Sequence, residues 1–364
     1  MALIFPDSSS ECKLGTTAMM ISLTELLQRS SANYLIYDLG RRLSAISQQQ
    51  FADIEAQKQP YPFPLQQHAC FAIAFWQEAD QPFIWFLKFP VDERGLLDLS
   101  TRDQFCHNVI TLLGNQITEA LSDEQQQQLQ NAPGLFTPGD DKRAAFNARL
   151  KLDLAQPPSI YFESAQSYLR QPEPLDSWQQ LGLQGIHDVV ARLRQDEATC
   201  MAITNNLQNY PAELWQPLAI AMEHQDLPAS LYHYLAAELD QQVSNPSDDV
   251  TPRLHALRAL AGNHTPAFGE QLENWLKSYQ QHPLTDDEFI IIAGRLYQQL
   301  HDHQLVMVFF EALAEHNNQA LLVGLFTDLV RLPLLRPQLL MMLQSSDLAK
   351  PLFKALQQLK GNRS

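Results

Sequence analysis

Two consecutive apolar runs constrain this chain more than any other feature. The stretch His68–Leu99 contains the runs Ala69–Trp76 and Phe83–Phe89, which the short polar segment Gln77–Pro82 separates. This pattern predicts two strands joined by a tight connection. Neither run alternates apolar with polar residues, so we expect both faces of the sheet to be covered. The second half of the chain reads as a stack of helices and could supply one of those covers.

The segments before this hairpin predict further elements of the same unit. Ser22 and Glu25 form a capping box, which begins a short helix. Tyr34–Tyr37 predicts a short strand, and the stretch from Arg41 to Gln57 predicts a helix with a partial apolar face.

The segments on either side of the two runs complete the unit. Pro60–Pro64 predicts extended backbone, because alternating prolines fix φ and remove donors. Leu96–Leu99 predicts a short edge strand, and Ser100–Leu121 predicts a long helix with one apolar stripe. The order is helix, strand, helix, three strands and helix. Short connections between the last three strands favour an antiparallel sheet, so residues 21–130 are predicted to form an α+β domain.

The C-terminal part predicts only helices. Residues 131–141 read as a linker with two proline-containing turns, and residues 142–364 as an all-helical array. Thr265 before Pro266 and the capping box Thr285–Glu288 mark helix starts. Helix pairs recur at roughly 35 residues, which is close to the period of HEAT and related repeats. No consensus repeats, so we predict an irregular, HEAT-like α-solenoid, and an irregular helical array fits equally well.

The net charge of the chain limits the classes of partner that it can bind. The net charge is −16 at pH 7. Such a surface repels phosphate backbones and acidic membranes, so we expect no nucleic acid and no membrane as partner. A basic or hydrophobic protein partner is compatible with this charge. The sequence leaves the oligomeric state open.

The cysteines and the N-terminal residues indicate the cellular compartment of the protein. No two of Cys12, Cys70, Cys106 and Cys200 have CxxC spacing, so we expect reduced thiols and a cytoplasmic protein. No apolar run reaches the ~18–20 residues of a membrane helix. Residues 1–20 have neither a basic start nor an apolar core, and they predict a disordered extension. We hypothesise that residues 1–18 lie upstream of the true start codon.

Asp38, Arg41 and Arg42 form the first candidate binding site. The arginines follow Asp38 at a predicted strand-to-helix turn. Two cations in the first turn of a helix oppose its dipole, and such a placement can mark a site for an anion or an acidic partner. In the alternative interpretation, Asp38 caps the helix and both guanidinium groups are solvated or paired with it.

Trp76 and Trp85 are the second candidate, as part of an aromatic concentration that suits protein–protein contact if it is exposed. The alternative is that they are core residues of the strands. His301 and His303 are spaced unlike a helical metal pair, which leaves only a loop site open. No nucleophile, phosphate-loop or HExxH motif occurs. We therefore predict no catalytic residue, no metal site and no cofactor.

The sequence resembles an uncharacterised gammaproteobacterial domain-of-unknown-function family. The segments that carry the resemblance are Tyr37–Arg42, Pro60–Pro64, Gln81–Pro90 and Gly182–Ile186. The likeness runs from about Ile21 to the C-terminal helices, and it implies a bacterial cytoplasmic protein without an assigned activity. The second domain is also loosely similar to HEAT-type arrays, which commonly bind proteins.

The sequence favours a cytoplasmic, non-catalytic adaptor or scaffold, because stacked helices, an acidic charge and missing catalytic motifs occur together. The alternative is an enzyme or small-ligand protein with its site at the interface of the two domains, near Arg41, Arg42 and the start of the Ser100–Leu121 helix. A third interpretation, a small acidic secretion-chaperone fold, rests on element order alone.

Overall fold

The structure is a computed structural model. It describes residues 21–77, 82–113, 117, 129, 132–173, 175–245, 247, 249–345 and 348–361. The N-terminal elements are α1 (Leu23–Arg29), β1 (Asn33–Asp38), β2 (Ser44–Ile46), α2 (Gln48–Glu55), β3 (His68–Trp76), β4 (Phe83–Pro90) and α3 (Leu99–Leu113). The helices that follow are α4 (Asp140–Asp153), α5 (Phe162–Arg170), α6 (Leu183–Arg192), α7 (Glu197–Asn206), α8 (Ala212–Met222), α9 (Ala229–Ser244), α10 (Thr251–Leu260), α11 (Pro266–Lys277), α12 (Asp286–Arg295), α13 (His303–Glu315), α14 (Gln319–Leu329), α15 (Arg336–Gln344) and α16 (Lys350–Gly361).

The four strands form one antiparallel sheet in the order β2-β1-β3-β4. Ile73 in β3 lies opposite Ile36 in β1 and Trp85 in β4. The two apolar runs are therefore the hairpin that the sequence predicts. The small antiparallel sheet with helices in the N-terminal part of the fold is confirmed.

Both faces of the sheet are covered. One face, with Phe71 and Ile73, packs against α1, α2 and α3. On the other face, Ala72 and Ala74 allow α4 to approach closely, and Phe146 of α4 fills the space. The Phe146 ring makes an edge contact with Tyr37, with centroids 5.5 Å apart. The second cover is therefore a helix that follows the predicted linker, as the apolar runs led us to expect.

The predicted helix from Arg41 to Gln57 is wrong in its first half. Residues 44–46 form β2, which pairs with β1, and the helix begins only at Gln48. The Ser47 hydroxyl accepts a hydrogen bond from the Gln50 amide and caps this helix. Strand pairing satisfies backbone groups that a longer helix would have used.

The predicted edge strand Leu96–Leu99 is also wrong. Only one bridge, between Val91 and Leu97, forms there. The Asp98 carboxylate accepts a hydrogen bond from the Ser100 amide at 3.0 Å, so α3 begins at Leu99. The predicted continuation of this helix to Leu121 falls, apart from Ile117, outside the described residues, as does the extension 1–20.

The buried carboxylate of Glu55 binds the N-terminus of α1. The predicted capping box of Ser22 and Glu25 is present. Glu55 of α2 accepts further bonds from the amides of Leu23 at 2.8 Å and Thr24 at 2.9 Å. Arg102 of α3 donates to the same carboxylate at 3.5 Å. One side chain thus joins three helices on one face of the sheet.

The C-terminal helices are arranged with a regular neighbour relation. From α4 to α12, each helix contacts the helix two positions further along the chain. Side-chain bonds repeat this relation: Gln271 Nε2 donates to Ala236 O, 35 residues away, and Gln299 Nε2 donates to Asn263 O, 36 residues away. The predicted helix starts at Thr265 and Thr285 are confirmed as side-chain caps. Of the helices in the described ranges, not one is both long and apolar enough to cross a membrane. The boundary at residues 131–141 stays a prediction.

Candidate functional site

The loop Leu39–Leu43, between β1 and β2, lies across the ends of alternate C-terminal helices. Arg41 Nη2 is 2.7 Å from Asp328 Oδ2 in α14. Arg42 Nη1 donates to the carbonyl of Ala261, directly after α10. The Leu43 amide donates to His224 Nδ1 at 3.3 Å, just after α8. Three consecutive residues, Arg41–Leu43, therefore contact a span of more than a hundred residues of the array, and we call this region the junction.

The junction uses the electrostatics of helix C-termini. The last carbonyls of a helix have no partner within it, and the helix dipole makes that end negative. Arg41 Nη1 donates at 3.5 Å to the Ala293 carbonyl in the last turn of α12, and Ala261 is the C-cap of α10. Both guanidinium groups also lie over the Tyr297 ring, at 5.6 Å and 5.7 Å from its centroid. The arginines thus sit at helix C-termini, where cations are favoured, and their predicted position in the first turn of a helix is wrong.

Asp38 is fully buried at the root of this loop. Its Oδ2 accepts a hydrogen bond from the Tyr61 hydroxyl at 2.6 Å, and its Oδ1 accepts one from the Gly40 amide at 2.5 Å. Burial raises the pKa of Asp38 to about 7, although these two bonds and the nearby Lys142 and Arg41 act in the opposite direction. A side chain at Gly40 would place its Cβ 3.1 Å from the Phe63 carbonyl oxygen, so this oxygen would have to move slightly to admit one. Asp38 shapes the loop and does not cap a helix.

A second set of cations surrounds one buried carboxylate beside the loop. Glu223 Oε2 accepts from Arg258 Nε at 2.5 Å and from Arg295 Nε at 3.1 Å. Lys142 Nζ of α4 donates to the Arg41 carbonyl at 2.9 Å. Burial lowers the pKa of Lys142 to about 8; Arg295 and Arg258 lower it further, and Glu223 opposes them. Cations outnumber carboxylates at this point of an otherwise acidic chain.

Two buried histidines complete the junction. The rings of His187 and His224 are nearly parallel, with centroids 6.5 Å apart. His187 Nε2 lies 3.8 Å from Asp141 Oδ1, and His224 Nε2 lies 3.4 Å from Glu223 Oε1. Neither Nε2 makes a hydrogen bond to any residue in the described part of the chain. Burial and the neighbouring cations hold the pKa of His224 well below its usual range, so its ring is neutral.

Neither the Cys70 thiol nor the Tyr61 hydroxyl is activated as a nucleophile at the junction. Burial raises the pKa of the nearby Cys70 thiol to about 11 and that of the Tyr61 hydroxyl well above its usual range. Both groups are therefore protonated near neutral pH. Positive potential and unpaired nitrogens suit an anion, whereas the same cations disfavour a metal ion. Within the described part of the chain, no group of three or more His, Cys, Asp or Glu side chains could hold a metal.

The structure separates the two tryptophans from the junction. Trp85 is buried between β4 and α3, with its ring centroid 4.3 Å from that of Phe75 and 5.4 Å from that of Phe105. Trp76 lines a different, open cleft of about 750 Å³ with Ile84 and Lys151. His301 and His303 are exposed just before and at the start of α13.

A family model described as "Protein of unknown function (DUF3549)" matches residues 18–360. The chain belongs to the DUF3549 family. The match confirms the predicted resemblance to a family of unknown function, while the gammaproteobacterial origin and the HEAT-like similarity stay predictions. Neither the curated proteins nor the solved structures contain a match to this chain.

In this DUF3549 member, sequence reasoning named Asp38, Arg41 and Arg42 and missed their partners. Lys142 and Glu223 are separated from the loop by about a hundred residues or more, and no local pattern joins them to it. The only signal is that Glu223 and His224 follow the end of α8 directly, where a buried acid is uncommon.

Proposed function

We propose that this protein is a non-catalytic interaction scaffold whose helical array is an irregular, HEAT-like α-solenoid. The observation that carries the proposal is the contact of each helix from α4 to α12 with the helix two positions further on. A helix in such an array cannot bury its apolar face alone, and stacking produces an extended surface that suits macromolecular partners. The junction supports this proposal, because a loop fixed to four successive alternate helix ends would keep the sheet and the array in one orientation.

The partner that fits best is a basic protein segment in the cytoplasm. The chain carries a net charge of −16. An acidic surface attracts basic segments over about a Debye length, roughly 10 Å at 0.1 M salt. The arginines of the junction are engaged within the chain, so they are not the contacts offered to a partner.

The test is binding of a short labelled peptide rich in lysine and arginine, measured by fluorescence anisotropy at roughly 0.01 M and 0.1 M salt. We expect the affinity to fall at least about tenfold as the salt rises, because the attraction is electrostatic. A peptide of the same length rich in aspartate and glutamate is the control. Equal binding of both peptides, or no binding at either salt concentration, would exclude the proposed surface.

A second candidate function is the binding of a small anion at the junction, as in an enzyme or small-ligand protein. The specific observation is that His187 Nε2 and His224 Nε2 are buried without hydrogen bonds beside Lys142, Arg258 and Arg295. Thermal unfolding with inorganic phosphate, pyrophosphate or citrate tests it, because a ligand of the native state raises the melting temperature. We expect a rise beyond that of chloride at equal ionic strength, and Arg295→Gln should reduce it. A rise no larger than that of chloride would remove this candidate.

A further inference from the structure

A cavity outside the junction combines aromatic faces with acidic groups. It lies between the start of α8, the middle of α9 and the start of α10, and its volume is about 230 Å³. The side chains that matter for its chemistry are those of Gln208, Trp215, Glu238, Gln242, Asp249 and His255. Neither the sequence analysis nor the proposed function assigns a role to them.

The aromatic side of the cavity has a defined geometry. The rings of Trp215 and His255 are within 10° of parallel, and their centroids are 6.4 Å apart. Both side chains are only partly buried, so their rings are accessible from the cavity. A flat group that stacks on Trp215 would also lie parallel to the His255 ring. Tryptophan is the strongest partner for a cation over a ring face.

The polar side of the cavity carries two carboxylates and a buried amide oxygen. Glu238 Oε2 accepts one bond, from Gln208 Nε2 at 2.9 Å, and Asp249 Oδ1 accepts one from the Thr251 amide at 2.9 Å. Among the residues that the structure describes, neither carboxylate forms an ion pair. Gln242 Oε1 is buried and has no hydrogen bond. A buried carbonyl oxygen without a donor costs free energy until a ligand supplies one.

We propose that this cavity binds the guanidinium group of an arginine side chain from a basic protein partner, a proposal that rests on the scaffold function above. A guanidinium is flat, always charged and carries five N–H donors. It can stack on Trp215 while donating to Glu238 and to Gln242 Oε1. A lysine ammonium matches the charge and lacks the planar face. A purely apolar group would supply no cation to the two carboxylates and no donor to the amide oxygen.

The test compares two peptides of equal length and equal charge, one with arginine and one with lysine as its only cation. With the intact chain at low salt, we expect the arginine peptide to bind about tenfold more tightly by fluorescence anisotropy. Trp215→Leu should abolish this preference and leave the lysine peptide nearly unchanged. Glu238→Gln, a conservative change, should weaken the arginine peptide several-fold, whereas Glu163→Gln, an exposed acid on α5, should not.

The outcomes separate the two proposals. Equal affinity for the two peptides, or an arginine preference that survives both Trp215→Leu and Glu238→Gln, overturns the cavity assignment and leaves the scaffold function in place. Absence of binding by either peptide overturns the scaffold function itself. Far-ultraviolet circular dichroism shows whether each variant is folded. If Trp215→Leu does not fold, the conservative Glu238→Gln variant alone tests the cavity assignment.

Discussion

The helical array and the sheet unit are held by contacts of very different range. Within the array, Arg253 pairs with Glu288, which is 35 residues away, and the same spacing recurs from one alternate helix to the next. The sheet unit is joined to the array by Arg41 with Asp328, 287 residues away, and by Leu43 with His224, 181 residues away. Contacts within the array thus join alternate helices that are close in sequence, whereas one loop of the sheet unit contacts several of these helices at once.

The largest effect is expected inside the array, at Glu288. Its carboxylate receives two bonds from Arg253, at 2.8 Å and 3.2 Å, and it completes the capping box with Thr285. Glu288→Ala should lower the free energy of unfolding by about 4–6 kcal/mol, since it leaves a buried arginine unpaired and removes the cap. Urea denaturation measures the loss. A loss of less than about 1 kcal/mol would mean that the stability of the array does not depend on the Arg253–Glu288 pair.

A slightly smaller effect is expected where the sheet meets α4. Phe146 is fully buried between Tyr37 and Phe86. Phe146→Ala should cost about 3–5 kcal/mol, because it opens a cavity between the two regions. The matched control is Phe353→Ala, whose side chain is 41% exposed. If sheet and array unfold together, a tryptophan-fluorescence transition and a circular-dichroism transition will shift equally; two separated transitions would show that the regions are independent.

The third prediction addresses the junction itself. Arg41→Ala should cost about 1.5–3 kcal/mol, the range for a hydrogen bond to a charged group, because Asp328 is 31% exposed and can be solvated. We expect faster hydrogen exchange in β2 and unchanged exchange in α6 and α7. Arg94→Ala, which removes an exposed ion pair with Asp92, is the control. Faster hydrogen exchange throughout the array would contradict the expectation that the Arg41–Asp328 contact stabilises only the sheet unit.

The smallest effect concerns pH. The ordinary pKa of an aspartate is 3.8, and burial raises that of Asp38 to about 7. The folded state therefore binds the Asp38 proton more tightly than the unfolded state does. The stabilisation that this proton provides is complete below pH 3.8 and is lost as the pH rises through 7. The stability of the wild type relative to Asp38→Asn should fall as the pH rises through this window, because the unfolded state releases the proton first. Urea midpoints at several pH values measure it, and a constant difference would show that Asp38 does not titrate there.

Much of the sheet unit could be predicted from local patterns, and the two segments predicted wrongly have separate causes. The hairpin of β3 and β4 follows from two apolar runs, and α1 follows from its capping box. The helix from Arg41 failed because pairing of β2 with β1 supplies bonds that no local propensity shows. The edge strand before α3 failed because the Asp98 cap begins the helix earlier.

By itself, the sequence determined the elements whose causes are local: caps, apolar runs and a helical period of roughly 35 residues. It also determined that Asp38, Arg41 and Arg42 are unusual. Only the tertiary structure decided what the arginines do. The helix ends that receive them lie about 220 to 290 residues further along the chain. The physical reason is that the field of a helix C-terminus acts on whatever the fold brings to it, whereas a sequence pattern records only neighbours along the chain.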